Sequence, residues 1–200
     1  MTASQSTQPS SAPPFDPKLR RATIDVLRER SFSGLTLERV AEVAGRARST
    51  LWRQGHSKET LVTALVGELA EDFRESMYPI LTAEGTGLER LTRGLEALCD
   101  VLDRHLPLLL ATDEAFHQET APGVPPDYLH PFIQFLREGA RDGSLPEAGD
   151  VQRAADLAFN MTAWPYVHLR GRHEWPAEEA RTCVVDVVLR GIADQRKETR

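Results

Sequence analysis

Three arginines, Arg46, Arg48 and Arg53, fall within eight positions of the segment VAEVAGRARSTLWRQGHSKETL, residues 40–61. A guanidinium group stays charged in proteins, and its planar fork of N–H donors matches phosphate oxygens and the acceptor edge of guanine. Ser49, Thr50 and Thr36 add hydroxyls nearby, Trp52 an indole and Lys58 an ammonium. Such a set suits the binding of an extended anion, whereas a merely solvated surface would need no company of this kind. The charge balance sharpens the contrast. Residues 16–59 hold ten Lys and Arg against six acids, a local charge of +4, within a chain of net charge −6. Residues 60–200 therefore stand at −10, so a polyanion is drawn to one end only.

These side chains need a scaffold, and the local pattern supplies one. Asp16-Pro17 is a helix start, with Asp able to cap and Pro tolerated at the first helical position. Leu19, Ala22, Val26 and Leu27 then recur at helical spacing until SFSG, residues 31–34. Thr36 caps a short second helix whose inward residues are Leu37, Val40, Ala41 and Ala44; Arg39 stands where a capping box would want Glu or Gln. Gly45 follows and offers the left-handed backbone of a tight turn. A third short helix, Arg48 to Gln54, comes next, with Leu51 pointing back toward the crossing at Ala41. A short helix, a glycine turn and a second helix bearing Arg and Ser is the helix-turn-helix layout, whose second helix enters the major groove of DNA.

The stretch RRATIDVLRERSFSGLTLERVAEVAGRARSTLWRQGHSKETLV, residues 20–62, resembles the DNA-binding domain of the TetR family of bacterial transcriptional regulators. Ala22, Phe32, Thr36, Leu37, Val40, Ala41, Ala44-Gly45, Thr50-Leu51, Trp52 in the usual Tyr place, Ser57-Lys58-Glu59 and Leu61 carry the likeness. Three positions depart from the pattern. Ser31 stands for Gly, Arg46 for an apolar residue, and Gly55 for a Phe that packs beneath the recognition helix. A ring lost there removes about 3–5 kcal/mol of packing unless another side chain, Trp52 for one, fills the space.

The resemblance implies roles. Arg48 and Ser49 would contact base edges, and Arg46 a base or a phosphate. Thr36, Thr50, Trp52, Arg53 and Lys58 would contact phosphates, Lys58 also from the start of a fourth helix where the dipole favours an anion. The partner implied is double-stranded operator DNA, read by a homodimer with half-sites about 34–36 Å apart. A small-molecule effector of unknown identity would release it, most often from a repressor. The alternative is a helical protein-interaction module of the same fold that has lost specific DNA binding.

The remaining pattern is helical throughout, so the expected fold is all-α: an N-terminal helix-turn-helix domain and a larger helical ligand-binding and dimerisation domain. The expected boundaries are an arm at 1–14, the DNA-binding domain at 15–60, the effector domain at 61–195 and a tail at 196–200. A long helix from Ser57 ends before Pro79; others cover 88–105, 107–119, 127–141 and 150–170, the last kinked or split at Pro165. TAPGVPP, residues 120–126, is a loop. VVDVVL reads as strand by propensity, but Pro176, Glu178-Glu179 and Arg190-Gly191 are helix start and stop signals in order. By resemblance, Ala154, Ala158, Val184 and Val188 would line the dimer interface. Phe116, Met161, Trp164, Tyr166 and His168 would surround a greasy or aromatic effector.

Other chemistries lack their residues. The six histidines form no HExxH; Asp113 and His117, at i and i+4, are a possible metal pair but more simply a surface hydrogen bond. No GxSxG, phosphate loop or dinucleotide fingerprint occurs, so neither an enzyme nor a bound metal or cofactor is expected. Cys99 and Cys183 are too few for a disulfide framework. MTASQSTQPSSAPP has neither the basic nor the apolar part of a secretory signal, and LPLLLA is far too short to span a bilayer. A cytoplasmic location and no membrane partner are the expectation.

Overall fold

A computed structural model describes residues 15–29, 32–116 and 126–194. The expected arm at 1–14, the tail at 196–200, Ser31 and all but the end of TAPGVPP lie outside them, as do His117 and the side chains of Asp113 and Phe116. The described residues form an all-α fold: α1 (Pro17–Glu29), a 3-10 turn (Phe32–Gly34), α2 (Leu37–Ala44), α3 (Arg48–Arg53), α4 (Lys58–Leu81), α5 (Gly87–Arg104), α6 (Leu106–Phe116), α7 (Pro126–Asp142), α8 (Val151–Gly171) and α9 (Ala177–Asp194). Among them, no helix is long and apolar enough to cross a membrane.

The chain divides into two compact units, Met1–Val66 and Gly67–Arg200, so the division falls inside α4 rather than at its start. In the first unit the expected stripe is the core. Leu19, Ala22, Val26 and Leu27 of α1 pack with Leu37, Val40, Ala41 and Ala44 of α2, and Leu51 of α3 and Leu61 and Leu65 of α4 are buried as well. Ala41 and Ala44 are small enough to let α2 approach its neighbours closely.

The second unit is built around α5, which packs on α7, α8 and α9. An aromatic run, buried at Phe73, Phe132 and Phe135 and half-buried at Tyr128 and Phe159, supports it: Phe73 lies 4.8 Å from Tyr128, Tyr128 6.1 Å from Phe159, Phe159 6.0 Å from Phe132, and Phe132 6.2 Å from Phe135. Backbones meet where side chains are absent; a Cβ on Gly87 would lie 2.0 Å from the Gly139 nitrogen. Two ion networks bind the elements. Asp72 takes the Arg104 guanidinium with both oxygens at 2.8 Å and the His105 ring at 3.0 Å. Asp103 takes Arg170 at 2.6 Å and the Tyr166 hydroxyl at 3.3 Å.

Two helices continue through a proline. Helix α4 runs through Pro79 to Leu81, and near its end the carbonyls of Tyr78 and Pro79 accept from the Thr82 hydroxyl at 3.2 and 3.3 Å. Helix α8 continues through Pro165, held on both sides by buried Thr162, Ala163, Tyr166 and Val167. Packing overrides a missing backbone donor here. Before α5, LTAEGTG hides a full capping box: Thr86 Oγ1 accepts from the Glu89 N–H, and Glu89 accepts from the Thr86 N–H at 2.8 Å.

Candidate nucleic-acid interface

The two helices of the candidate motif are joined and ended by the same device. At the end of α2, Gly45 adopts φ +61°, its N–H donates to Glu42 at 3.0 Å, and the Arg46 N–H reaches back to Ala41 at 2.9 Å. At the end of α3, Gly55 adopts φ +85°, its N–H donates to Trp52 at 2.9 Å, and the His56 N–H reaches Leu51 at 3.0 Å. Both are six-to-one closures around a left-handed residue, which glycine enters without the Cβ penalty. Gly55 is therefore a helix terminator. It sends His56 inward, and at 3% exposure the imidazole is the buried side chain at this turn. Trp52 does not fill the space, since it is 68% exposed.

Thr36 caps α2, its hydroxyl accepting from the Arg39 N–H at 3.2 Å. Helix α3 has no such help, because Ala47 at its start brings no side-chain bond. Helix α4 opens with a reciprocal pair: the Ser57 N–H donates to Thr60 Oγ1 at 2.8 Å and the Thr60 N–H to Ser57 Oγ at 3.2 Å. Lys58 folds back so that its ammonium donates to the Phe32 carbonyl at 2.6 Å and lies 3.9 Å from the centre of the Phe32 ring. A lysine has three N–H donors, so two stay available.

The arginines part company here. Arg53 is exposed and, among the described residues, makes no ion pair. Arg48 is exposed but pairs through Nε with the Glu38 carboxylate of α2, both side chains open to water at 59% and 61%. Arg46 is bound more tightly, its guanidinium 2.7 Å from Asp16 Oδ2. The other oxygen of Asp16 accepts from the Lys18 and Leu19 N–H groups at 3.0 and 3.1 Å, capping α1. Arg46 and then these backbone donors hold the Asp16 carboxyl below its ordinary value of 3.8. His56 is pushed the other way for a base. Burial first, and the Arg46 charge second, depress its pKa from 6.5, against a smaller opposing pull from Asp16.

The side chains expected to face DNA thus lie together on α2, α3 and the turns around them: Ser49, Trp52 and Arg53 exposed, Thr50 half-buried, Thr36 exposed but engaged as a cap. Local order alone does not show that Glu38 pairs with Arg48, that His56 is buried, or that Asp16 is an ion partner as well as a cap. The repeat of helix, glycine and following residue at 45–46 and 55–56 is the signal that marks His56.

In the second unit the expected sites are redistributed. Ala158, Val184 and Val188 are buried in the unit's own core, and Ala154 packs partly against it, so these four are not an open face. The apolar side chains that α8 and α9 turn outward are instead Leu157 at 58%, Met161 at 48%, Trp164 at 36% and Val187 at 56% exposure. Small residues let α8 approach α5 and α7 closely, which puts its large ones outside. Met161 and Trp164 thereby leave the expected cavity lining. Trp164 instead lies 6.5 Å from the half-buried His168 ring. Among the described side chains of the expected effector set, Tyr166 is the fully buried one, its hydroxyl on Asp103 and its pKa raised chiefly by burial.

Solved structures share this fold. The TetR family transcriptional regulator PfmR from Thermus thermophilus is 19% identical, with a TM-score of 0.71 over 88% of this chain and 98% of its own. The transcriptional regulator FadR from Bacillus subtilis, in complex with stearoyl-CoA, is 18% identical, with a TM-score of 0.68 over 88% of this chain and 98% of its own. The ketosteroid transcriptional regulator KstR2 of Mycobacterium tuberculosis is 19% identical, with a TM-score of 0.67 over 88% and 93%. No protein-family model and no curated protein sequence matches the chain. The fold is that of TetR-family transcriptional regulators.

Proposed function

We propose that the chain is a sequence-specific DNA-binding transcriptional regulator of the TetR family, a repressor that leaves its operator when a small molecule binds. The observation that carries this reading is the exposed face of α3, where Arg48, Ser49, Trp52 and Arg53 stand free of the core between two glycine closures. In this reading Arg48 and Ser49 meet base edges, Arg being the commonest specific partner of guanine. Thr36, Thr50, Trp52, Arg53 and the spare donors of Lys58 meet phosphates.

A single motif of this size buries too little to hold one site tightly, so the working form is a homodimer. The outward apolar side chains Leu157, Met161, Trp164 and Val187 support α8 and α9 as the pairing face, since monomers seldom leave such groups together in water. The effector is an apolar or aromatic small molecule received by the second unit; its aromatic run supports this, as does the stearoyl-CoA bound by FadR of the same fold. The test is selection of genomic fragments by the purified chain, followed by titration of Arg48→Ala and Arg53→Ala on a selected fragment. The reading requires at least tenfold weaker specific binding in each; unchanged affinity in both sinks it.

A further inference from the structure

We infer that Arg46 is a positioning residue: its ion pair with Asp16, beside the buried ring of His56, sets the angle at which α3 meets DNA. The inference rests on the regulator reading above, and it reassigns a cation that the sequence pattern aims at DNA.

Helix α3 is six residues long, too short to be stable on its own, and no side chain caps its start. Its orientation must come from what holds its two ends. Before it stands Arg46, one residue past the Gly45 closure. The guanidinium meets a carboxylate that is itself fixed, because Asp16 Oδ1 already accepts two backbone N–H groups of α1. Asp16 Oδ2 is left to take Arg46 at 2.7 Å, and both side chains are about one-third exposed, at 30% and 35%. The turn before α3 is thus tied to the first residues of α1, thirty positions away. Arg48, by contrast, is 59% exposed and held by a carboxylate as open to water as itself.

After α3 stands His56. Its backbone closes the helix on Leu51, and its ring is 97% withdrawn from solvent, with Nε2 bonded to no group among the described residues. The charged groups that bear on the ring are Arg46 and Asp16. One pair therefore governs both ends of α3. It holds the entrance directly, and it faces the imidazole that fills the exit. A neutral ring tolerates Arg46 nearby. A protonated ring adds a buried like charge with no acceptor at Nε2 among the described residues.

Opposite signs make the assignment testable. Asn caps helices as well as Asp does, so Asp16→Asn keeps the start of α1 and removes only the ion pair. If Arg46 touches DNA and Asp16 restrains it, the substitution frees a cation and tightens binding. If Arg46 positions α3, binding weakens although the protein has gained positive charge.

The experiment measures affinity for a selected operator fragment, and its salt dependence, for wild type, Asp16→Asn, Arg46→Ala and Arg53→Ala, each shown folded by circular dichroism. We expect Asp16→Asn and Arg46→Ala to weaken binding by about two- to fivefold, the scale of a partly exposed pair. The salt slope should be unchanged in both, while Arg53→Ala lowers it by about 1. A second readout is pH. Wild-type affinity should fall below the ordinary histidine range, and His56→Gln should remove that fall. Tighter binding by Asp16→Asn, or a slope reduced by about 1 in Arg46→Ala, overturns the assignment with the regulator reading intact. So does a pH profile unaltered by His56→Gln. A wild-type chain that selects no DNA fragment overturns both together.

Discussion

The turns that precede and follow α3 share one backbone and differ in the side chain that comes next. Gly45 and Gly55 both take left-handed φ, both donate three residues back, and both are followed by a residue whose N–H closes the helix. After Gly45 the chain places a permanent cation, partly exposed and matched by Asp16. After Gly55 it places a titratable ring, buried and unmatched at Nε2. Glycine decides where the backbone goes; the surroundings decide what the next side chain becomes. The same loop geometry yields an ionic strut on one side and a proton-sensitive plug on the other.

The strongest way to break the comparison is to abolish the shared element. Gly45→Ala and Gly55→Ala each force a Cβ into left-handed backbone, at about 1–2 kcal/mol apiece. Urea unfolding should show a loss at each; at Gly45 the nearest neighbour of an added Cβ is Lys18 Nζ at an ordinary 3.6 Å, so the left-handed backbone is the main cost there. A loss at one glycine and none at the other would separate the two turns.

The second prediction bears on the plug. His56→Leu keeps an apolar body of similar size and removes a ring nitrogen that finds no bond, so stability should rise by about 1 kcal/mol. Destabilisation would mean that the ring is bonded in solution. The pH dependence follows from the same ring. Its folded pKa is depressed below 6.5, so the unfolded chain binds the proton first as pH falls. Stability should therefore decline as pH drops through 6.5, levelling off below the folded value, and the decline should shrink in His56→Leu. Asp16 acts at a different pH. Its lowered pKa supports the fold at neutrality, and that support is lost only below 3.8. Urea midpoints on either side of 6.5 test the first claim, and acid unfolding of Asp16→Asn the second.

The smallest effect concerns the other paired arginine. Glu38→Gln releases Arg48 from an exposed pair and should tighten operator binding by about two- to fivefold at low salt, fading as salt rises. Fluorescence anisotropy on a selected fragment measures it. The opposite sign expected for Asp16→Asn then sharpens the contrast: one acid competes with DNA for its arginine, the other mounts the helix. Equal signs in the two variants would erase that distinction.

Much of the first unit was legible from local order. The Asp16, Thr36 and Gly45 signals marked two helix starts and a turn, and Leu19, Ala22, Val26 and Leu27 marked an inward stripe that is buried in the fold. The second unit was less legible because α8 is apolar on two sides. Ala154, Leu157, Ala158, Met161 and Trp164 look like one stripe in the sequence. Packing splits them, with Ala158 inside and Leu157, Met161 and Trp164 outside. Periodicity gives the angle between residues and leaves open which face a neighbour will cover.

By itself the sequence determined the all-helical pattern, the positive N-terminal segment, the glycine turn and the set of donors gathered near α3. Those properties depend on residues within a few turns of one another, where propensity, capping and backbone sterics act. Only the tertiary structure decided that Arg46 meets Asp16, that Arg48 meets Glu38, that Lys58 rests on Phe32 and that His56 is buried. Each of these depends on which distant segment arrives within a few ångströms, and ion pairing and desolvation act only at that range.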